Sequence, residues 1–152
     1  MPDWRIKAVL HRVIEWMPFE KDINYALQRF VTKSLVTKKG KIKDKIDQCE
    51  RHIESFLENR GVGSVDELDN QSLQALEIGT GWYPVIPIIL SLRGFSKIYT
   101  YDISSLRRPI LFKEMCVLLI EIIEENSVAL KMPADSESKI LLIKKYLNGG
   151  LE

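Results

Sequence analysis

The first sixty residues carry apolar side chains at the three- and four-residue spacing of amphipathic helices. One helix is predicted from residue 4 to residue 17, and Pro18 ends it because proline lacks the N–H that a helix interior needs. A second helix is predicted to begin near residues 20–22. Its apolar positions, which we expect to be buried, are Ile23, Leu27 and Phe30.

A third helix follows the basic segment 38–41 and is predicted to end at Arg60. Gly61 comes next, and glycine in the left-handed conformation commonly closes helices. The stretch from there to residue 72 is rich in glycine and polar residues, which indicates a boundary. We therefore expect an N-terminal helical segment, residues 1–61, followed by a second region, residues 62–152.

The hydrophobic pattern changes after this boundary from helical spacing to short apolar runs. Strands are predicted over residues 73–78 and 97–103. One helix is predicted over residues 84–93, and another begins at residue 106 or 109 and ends at residue 125. Residues 73–78 form a short apolar run that ends in a glycine turn, so we expect a parallel strand buried on both faces. A strand, a helix and a strand in this order form a β-α-β unit with parallel strands and a right-handed connection.

A last helix is predicted over residues 137–147, with Asp135 or Ser136 as its N-cap. Two cysteines, Cys49 and Cys116, lie far apart in the sequence, and no second thiol is near either of them. Each falls on an apolar helical stripe, so both are interpreted as buried core thiols. Neither a zinc site nor a redox pair is expected.

Composition adds limits to this picture. The chain has 152 residues, which is enough for one domain, and its net charge of +1 indicates no strong attraction to nucleic acid or anionic lipid. The first residues lack the basic and then apolar form of a signal peptide, and no apolar stretch is long enough to span a bilayer. We expect a cytoplasmic protein that binds no membrane, and nucleic acid is not favoured as a partner.

The segment 77–84 lies between a predicted strand and a predicted helix and contains Gly79 and Gly81. Glycine can adopt positive φ and lets the backbone approach a ligand closely. Asp102 comes 25 residues after Glu77, at the tip of the second strand, where a carboxylate can accept both hydroxyl protons of a ribose. The combination predicts a nucleoside site. The competing interpretation is a tight turn with Asp102 as a helix cap.

Two details distinguish among nucleoside ligands. Glu77 stands just before the glycines, where a carboxylate would repel a pyrophosphate and attract an ammonium group. Pro84 and Pro87 remove two N–H groups from the start of the next helix, which weakens it as a phosphate cradle. The segment therefore favours S-adenosylmethionine, with its ribose, sulfonium and amino-acid group, over NAD.

Residues 76–84, Leu-Glu-Ile-Gly-Thr-Gly-Trp-Tyr-Pro, and residues 98–103, Ile-Tyr-Thr-Tyr-Asp-Ile, resemble the first two motifs of class I S-adenosylmethionine-dependent methyltransferases. The resemblance covers roughly residues 73–125. It implies an α/β fold, with an N-terminal helical segment followed by a partial Rossmann-like β-α-β-α unit with parallel strands. The cofactor-binding residues that it implies are Glu77, Gly79, Thr80, Gly81, Asp102 and Ile103.

Within this resemblance, Glu77 and the Gly79–Gly81 backbone face the methionine part of the cofactor, and Asp102 binds the ribose. The family's sheet has seven strands, whereas two are predicted here with at most one more, and no acceptor-binding motif or general base follows Asp102. We therefore expect the front part of a methyltransferase with an unspecified acceptor, inactive on its own. The alternatives are a fragment of an NAD(P)-binding oxidoreductase and a non-catalytic interaction module with a Rossmann-like fold.

The two arginines after the second strand and the edges of the sheet lead to two further predictions. Arg107 and Arg108 follow the second strand and are interpreted as an exposed helix start, with a contact near the cofactor as the alternative. A sheet of two strands leaves unpaired N–H and C=O groups along its edges. Self-association of the chain, through the second strand at the exposed sheet edge or through the last helices, is therefore expected.

Overall fold

The computed structural model describes residues 19–68, 73–103, 106–126, 130 and 132–149. The chain divides into two compact units, Met1–Val36 and Thr37–Glu152. The helix predicted over residues 4–17 lies outside the described residues. Within the described ranges, no helix is both long enough and apolar enough to cross a membrane.

In the first unit, helix α1 spans Glu20–Ala26 and continues into a π-helical turn, Leu27–Val31. The N–H of Thr32 donates to the carbonyl of Leu27 at 2.9 Å, which is the five-residue bond of a π-helix. The extra residue in this turn rotates the following side chains away from a regular helical stripe. Phe30 is consequently 70% exposed, and its expected burial is wrong.

Among the described residues, the second unit has four helices and two strands, joined in part by a short 3-10 turn, Val65–Glu67. The helices are α2, Lys39–Arg60; α3, Val85–Leu92; α4, Pro109–Asn126; and α5, Ser136–Leu147. The strands are β1, Gln74–Ile78, and β2, Lys97–Tyr101. Gly61 closes α2 with a φ of 68°, which confirms the predicted left-handed cap. By its contacts, α2 lies in the same unit as the strands.

The two strands are parallel and form an open sheet, with Leu76 opposite Tyr99 and Glu77 opposite Thr100. Helix α3 lies between them in the sequence and packs against both strands. The predicted mixture of helices and parallel strands is therefore confirmed.

Apolar side chains of α2, α3 and α4 form one core, and Ala75 and Ile98 pack against it from the sheet. Side chains alternate between the two faces of a strand, so the neighbouring positions point away from this core. These are Leu76, Ile78, Tyr99 and Tyr101, which are between 53% and 75% exposed. The expectation that strand 73–78 is buried on both faces is therefore wrong for one face.

Helix α5 is held to the end of α3 by a buried hydrogen bond of 2.5 Å, in which the Ser136 hydroxyl donates to the carbonyl of Leu92. Asp135 occupies the N-cap position of α5, as predicted, but its side chain makes no capping hydrogen bond. Its carboxylate instead lies 2.9 Å from the Lys139 ammonium group. The sequence predicts the position of the N-cap. The ion pair that the Asp135 side chain makes instead of a capping hydrogen bond depends on Lys139, one turn later in the helix.

A buried ion pair connects α2 with the residue that follows α3. The Arg93 Nε lies 3.2 Å from Glu50 Oε1, and the two side chains are 5% and 18% exposed. The contact is an ion pair rather than a hydrogen bond, because neither of these two atoms has a hydrogen-bond partner among the described residues. It places a compensated charge pair at the edge of an otherwise apolar core.

Candidate functional site

Strand β1 ends in a turn built on two glycines with positive φ. Gly79 has a φ of 79° and Gly81 a φ of 67°, values that strain residues with a side chain. The N–H of Gly79 donates to the carbonyl of Tyr101 at 2.8 Å and so extends the β1–β2 pairing into the turn. A Cβ on Gly79 would meet no other atom within 4 Å, so backbone conformation rather than space requires glycine there.

Asp102 follows β2 directly and lies against this turn. The N–H of Gly81 donates to Asp102 Oδ2 at 2.6 Å, a short distance typical of a hydrogen bond to a charged acceptor. The bond holds the carboxylate beside the glycines, as the parallel strands require. A carboxylate offers about four acceptor positions, so it can keep this bond and still accept hydroxyl groups of a ligand.

The Asp102 carboxylate lines a small cavity of about 210 Å³ at the carboxyl ends of the strands, which we name the Asp102 pocket. Thr80 contributes a hydroxyl that is buried and has no hydrogen-bond partner in the described part of the chain. Thr100, Gly81 and Arg107 also line the pocket. Its walls therefore carry hydroxyl, carboxylate and guanidinium groups in a small space.

Glu77 lies on the other side of the glycine turn, in a larger cavity of about 570 Å³ between α2 and β1, which we name the α2–β1 groove. The Glu77 side chain is half-buried, and its Oε2 atom is inaccessible to solvent without a hydrogen-bond partner among the described residues. Lys45 and His52 from α2 line the same groove. Buried polar atoms are normally hydrogen-bonded, so this oxygen is suited to a donor from a ligand.

The six residues implied by the resemblance are therefore distributed over two adjoining cavities. Glu77 and Gly79 line the α2–β1 groove, whereas Thr80, Gly81 and Asp102 line the Asp102 pocket. Ile103 lines neither cavity and is 94% exposed. The turn Gly79–Gly81 contributes residues to both cavities, so Glu77 and Asp102 line neighbouring spaces on either side of it.

Sequence reasoning missed the part of the groove that α2 supplies. Lys45 and His52 carry no local signal of a site, because only the packing of α2 beside β1 brings them near Glu77. Arg107 is different, since its place shortly after Asp102 already indicated a contact near the ligand as one alternative. The structure places Arg107 in the wall of the Asp102 pocket.

Both cysteines are buried and free, as predicted. Burial, with a smaller contribution from the Glu50 carboxylate, raises the pKa of Cys49 to about 12. Burial raises the pKa of Cys116 to about 11. The neutral thiol is thus the form present near pH 7, which does not favour a nucleophilic role for either cysteine.

In the described ranges, no group of three or more histidine, cysteine, aspartate or glutamate side chains is arranged to hold a metal ion. No family model, curated protein or solved structure matches this chain. The residues around the glycine turn are therefore the basis for any functional conclusion.

Proposed function

We propose that this chain forms the S-adenosylmethionine-binding part of a methyltransferase, built on a partial Rossmann-like unit. The observation that carries the proposal is the hydrogen bond from the Gly81 N–H to Asp102, because it joins the glycine turn to an acid at the tip of the adjacent parallel strand. In nucleoside-binding α/β proteins, an acid at this place binds ribose hydroxyls. The small Asp102 pocket is of suitable polarity for that contact.

Glu77 supports the choice of ligand. Its buried oxygen without a partner favours a cationic donor such as an α-ammonium group, and it disfavours the negative phosphates of a dinucleotide. When bound, S-adenosylmethionine would supply an electrophilic methyl group for transfer to the acceptor. In this proposal, the protein orients the ribose with Asp102 and the amino-acid end with Glu77.

Calorimetry with S-adenosylhomocysteine and NADH tests the proposal. We expect S-adenosylhomocysteine to bind at least about tenfold more tightly than NADH, since a hydrogen bond to a charged group contributes about 1.5–3 kcal/mol. Equal or tighter binding of NADH would favour the oxidoreductase alternative. Binding of neither ligand, with an unchanged melting temperature for Asp102→Ala, would favour the interaction module.

Two conservative variants separate the roles of the acids. Asp102→Asn keeps an acceptor for the Gly81 N–H. It is expected to lower the affinity for both S-adenosylhomocysteine and 5′-methylthioadenosine by about tenfold or more. Glu77→Gln is expected to weaken only S-adenosylhomocysteine, because 5′-methylthioadenosine lacks the amino-acid end. Glu58→Gln, an exposed carboxylate of α2 outside both cavities, is the matched control. Unchanged affinities in both site variants would refute the assignment.

We also propose that the chain self-associates through its sheet. The sheet has two strands, so the outer edge of each offers backbone groups with no neighbouring strand among the described residues. The apolar side chains Leu76 and Ile78 lie exposed beside the edge of β1. Sedimentation velocity is expected to show a mass that rises with concentration, and a stable monomer at all concentrations would count against it.

A further inference from the structure

A third cavity, of about 370 Å³, lies between the residues after the glycine turn, the start of α4 and the end of α5. It is distinct from the α2–β1 groove and shares a single residue, Arg107, with the Asp102 pocket. We name it the aromatic pocket. The side chains on which the argument depends are Trp82, Arg107, Arg108, Phe112 and Tyr146.

Three aromatic rings contribute to the walls of this pocket. Trp82, Phe112 and Tyr146 are each half-buried, so part of every ring is open to the cavity or to solvent. The Phe112 and Tyr146 rings meet edge to face, with centroids 5.5 Å apart and planes 64° apart. Aromatic groups of this kind pack favourably against a planar ligand, either stacked or edge to face.

Two arginines give the same pocket a positive charge. Arg107 is exposed and forms no ion pair with any of the residues described. Arg108 is half-buried beside it, and none of the residues lining the cavity is acidic. A guanidinium group recognises carboxylate or phosphate through two parallel hydrogen bonds, so the pocket combines a flat apolar surface with an anion-binding group.

The aromatic pocket also adjoins the proposed cofactor site. Trp82 directly follows Gly81, whose N–H is bonded to Asp102. Arg107 lines both the Asp102 pocket and the aromatic pocket, so it forms part of the wall between them. The volume is at the small end of the range for ligand sites, which suits one aromatic acid or one mononucleotide and excludes a folded polymer.

We propose that the aromatic pocket binds a planar aromatic anion and, resting on the proposed function, that this anion is the methyl acceptor. The rings hold the flat part of the ligand, and Arg107 pairs with its carboxylate or phosphate. Arg108 adds positive potential at the same end of the pocket. Nothing in the two motifs of the methyl-donor site specifies this ligand, so the assignment depends on the pocket itself.

Tryptophan fluorescence tests the binding step directly. The chain has three tryptophans, so a Trp4→Phe, Trp16→Phe background leaves Trp82 as the reporter. The probes are 4-hydroxybenzoate and uridine 5′-monophosphate as aromatic anions, with phenol and inorganic phosphate as their two halves. We expect at least one aromatic anion to quench the fluorescence saturably. Its affinity should be at least about tenfold higher than that of phenol or inorganic phosphate, because ring and charge contacts act together. The two anions distinguish a carboxylate from a phosphate ligand.

Arg107→Gln is expected to lower the affinity for that aromatic anion by about fivefold or more. Arg107→Lys should lower it by less, because lysine keeps the charge without the paired donors. Lys113→Gln, an exposed cation of α4 that does not line the pocket, is the control for long-range charge. Calorimetry on the unmodified chain repeats the measurement without the tryptophan substitutions. Absence of binding, equal binding of phenol, or unchanged affinity in Arg107→Gln overturns the proposal.

The two proposals fail in different ways. If S-adenosylhomocysteine binds and no aromatic anion does, the aromatic pocket is wrong and the cofactor site stands. If an aromatic anion binds and S-adenosylhomocysteine does not, the pocket stands as a binding site and its role as acceptor site is wrong.

Discussion

One face of the β1–β2 sheet lies against α3 and the core, whereas the other face lies open. The covered face carries Ala75 and Ile98, which pack against the core, and Glu77, whose carboxylate borders the α2–β1 groove. The open face carries two aliphatic and two aromatic side chains, all more than half exposed. The same two strands therefore carry core contacts and the Glu77 carboxylate on one side and exposed apolar side chains on the other.

The two faces of the sheet therefore contribute differently to the stability of the second unit. Burial of apolar area stabilises a fold in proportion to the area removed from water, so the open face contributes little in this chain. A contiguous exposed apolar face of this kind is typical of a surface that contacts another protein segment. The covered side, in contrast, should respond strongly to single substitutions.

The largest effect is expected at the charge pair behind the covered face. Arg93→Met would remove the cation beside the largely buried Glu50 carboxylate, which is expected to cost about 3–5 kcal/mol of unfolding free energy. Urea denaturation measures this loss. Lys144→Met, in the exposed pair with Glu124, is the control and is expected to cost less than about 1 kcal/mol. Equal losses would contradict the assigned burial.

Isoleucines on the two sides provide a direct comparison. Ile89 in α3 is 1% exposed and Ile78 on the open face is 75% exposed. Ile89→Ala is expected to lower the unfolding free energy by about 2–5 kcal/mol, because it removes buried methyl groups and leaves a cavity. Ile78→Ala should change it by no more than about 0.5 kcal/mol. A large loss at Ile78 would show that the open face is covered in solution.

The glycine turn at the end of the covered side gives a smaller effect. Gly81→Ala forces a residue with a Cβ into positive φ and is expected to cost about 1–2 kcal/mol. A clash is not the cause, since the nearest neighbour of the new Cβ would be the Gly79 carbonyl oxygen at 3.9 Å. Gly40→Ala, within α2 and facing open space, is expected to stabilise by up to about 1 kcal/mol. Thermal melts of both variants measure these two changes in stability.

The smallest effect is a pH dependence from the buried thiol of Cys49. Its pKa is raised to about 12 in the folded chain, whereas an unfolded cysteine ionises near pH 8.5–9. The unfolded state therefore binds fewer protons between about pH 9 and pH 12, and stability falls as pH rises through that window. About 1 kcal/mol should be lost between pH 9 and pH 10. Cys49→Ala should reduce this slope by about half, because the buried Cys116 thiol contributes similarly in the same window. An unchanged slope would contradict the burial of Cys49.

Much of the fold could be predicted from local pattern. The parallel strand pair and the helix between them follow from two short apolar runs separated by a longer one. Gly61 ends α2 in the left-handed conformation because few other residues tolerate it. The strand after Gly94 ends at Tyr101 rather than at Ile103, because the chain leaves the sheet to place Asp102 against Gly81.

Other features depend on contacts between distant residues and leave no local signal. The π-helical turn after Ala26 shifts the register of its side chains, which a regular period of 3.6 residues cannot anticipate. Apolar alternation in β1 does not reveal that its second face lacks a covering layer. The glycines and Asp102 were predictable as a motif, but the contribution of Lys45 to the groove required the packing of α2.

The hydrogen bond between Gly81 and Asp102 makes one amide proton a reporter for the whole turn. A short bond to a carboxylate should move the Gly81 amide resonance downfield in an NMR spectrum and slow its exchange with deuterium. A ribose that recruits the carboxylate would change that resonance at once, without any chemistry taking place. The first event of nucleoside recognition would then be visible at a single backbone nucleus.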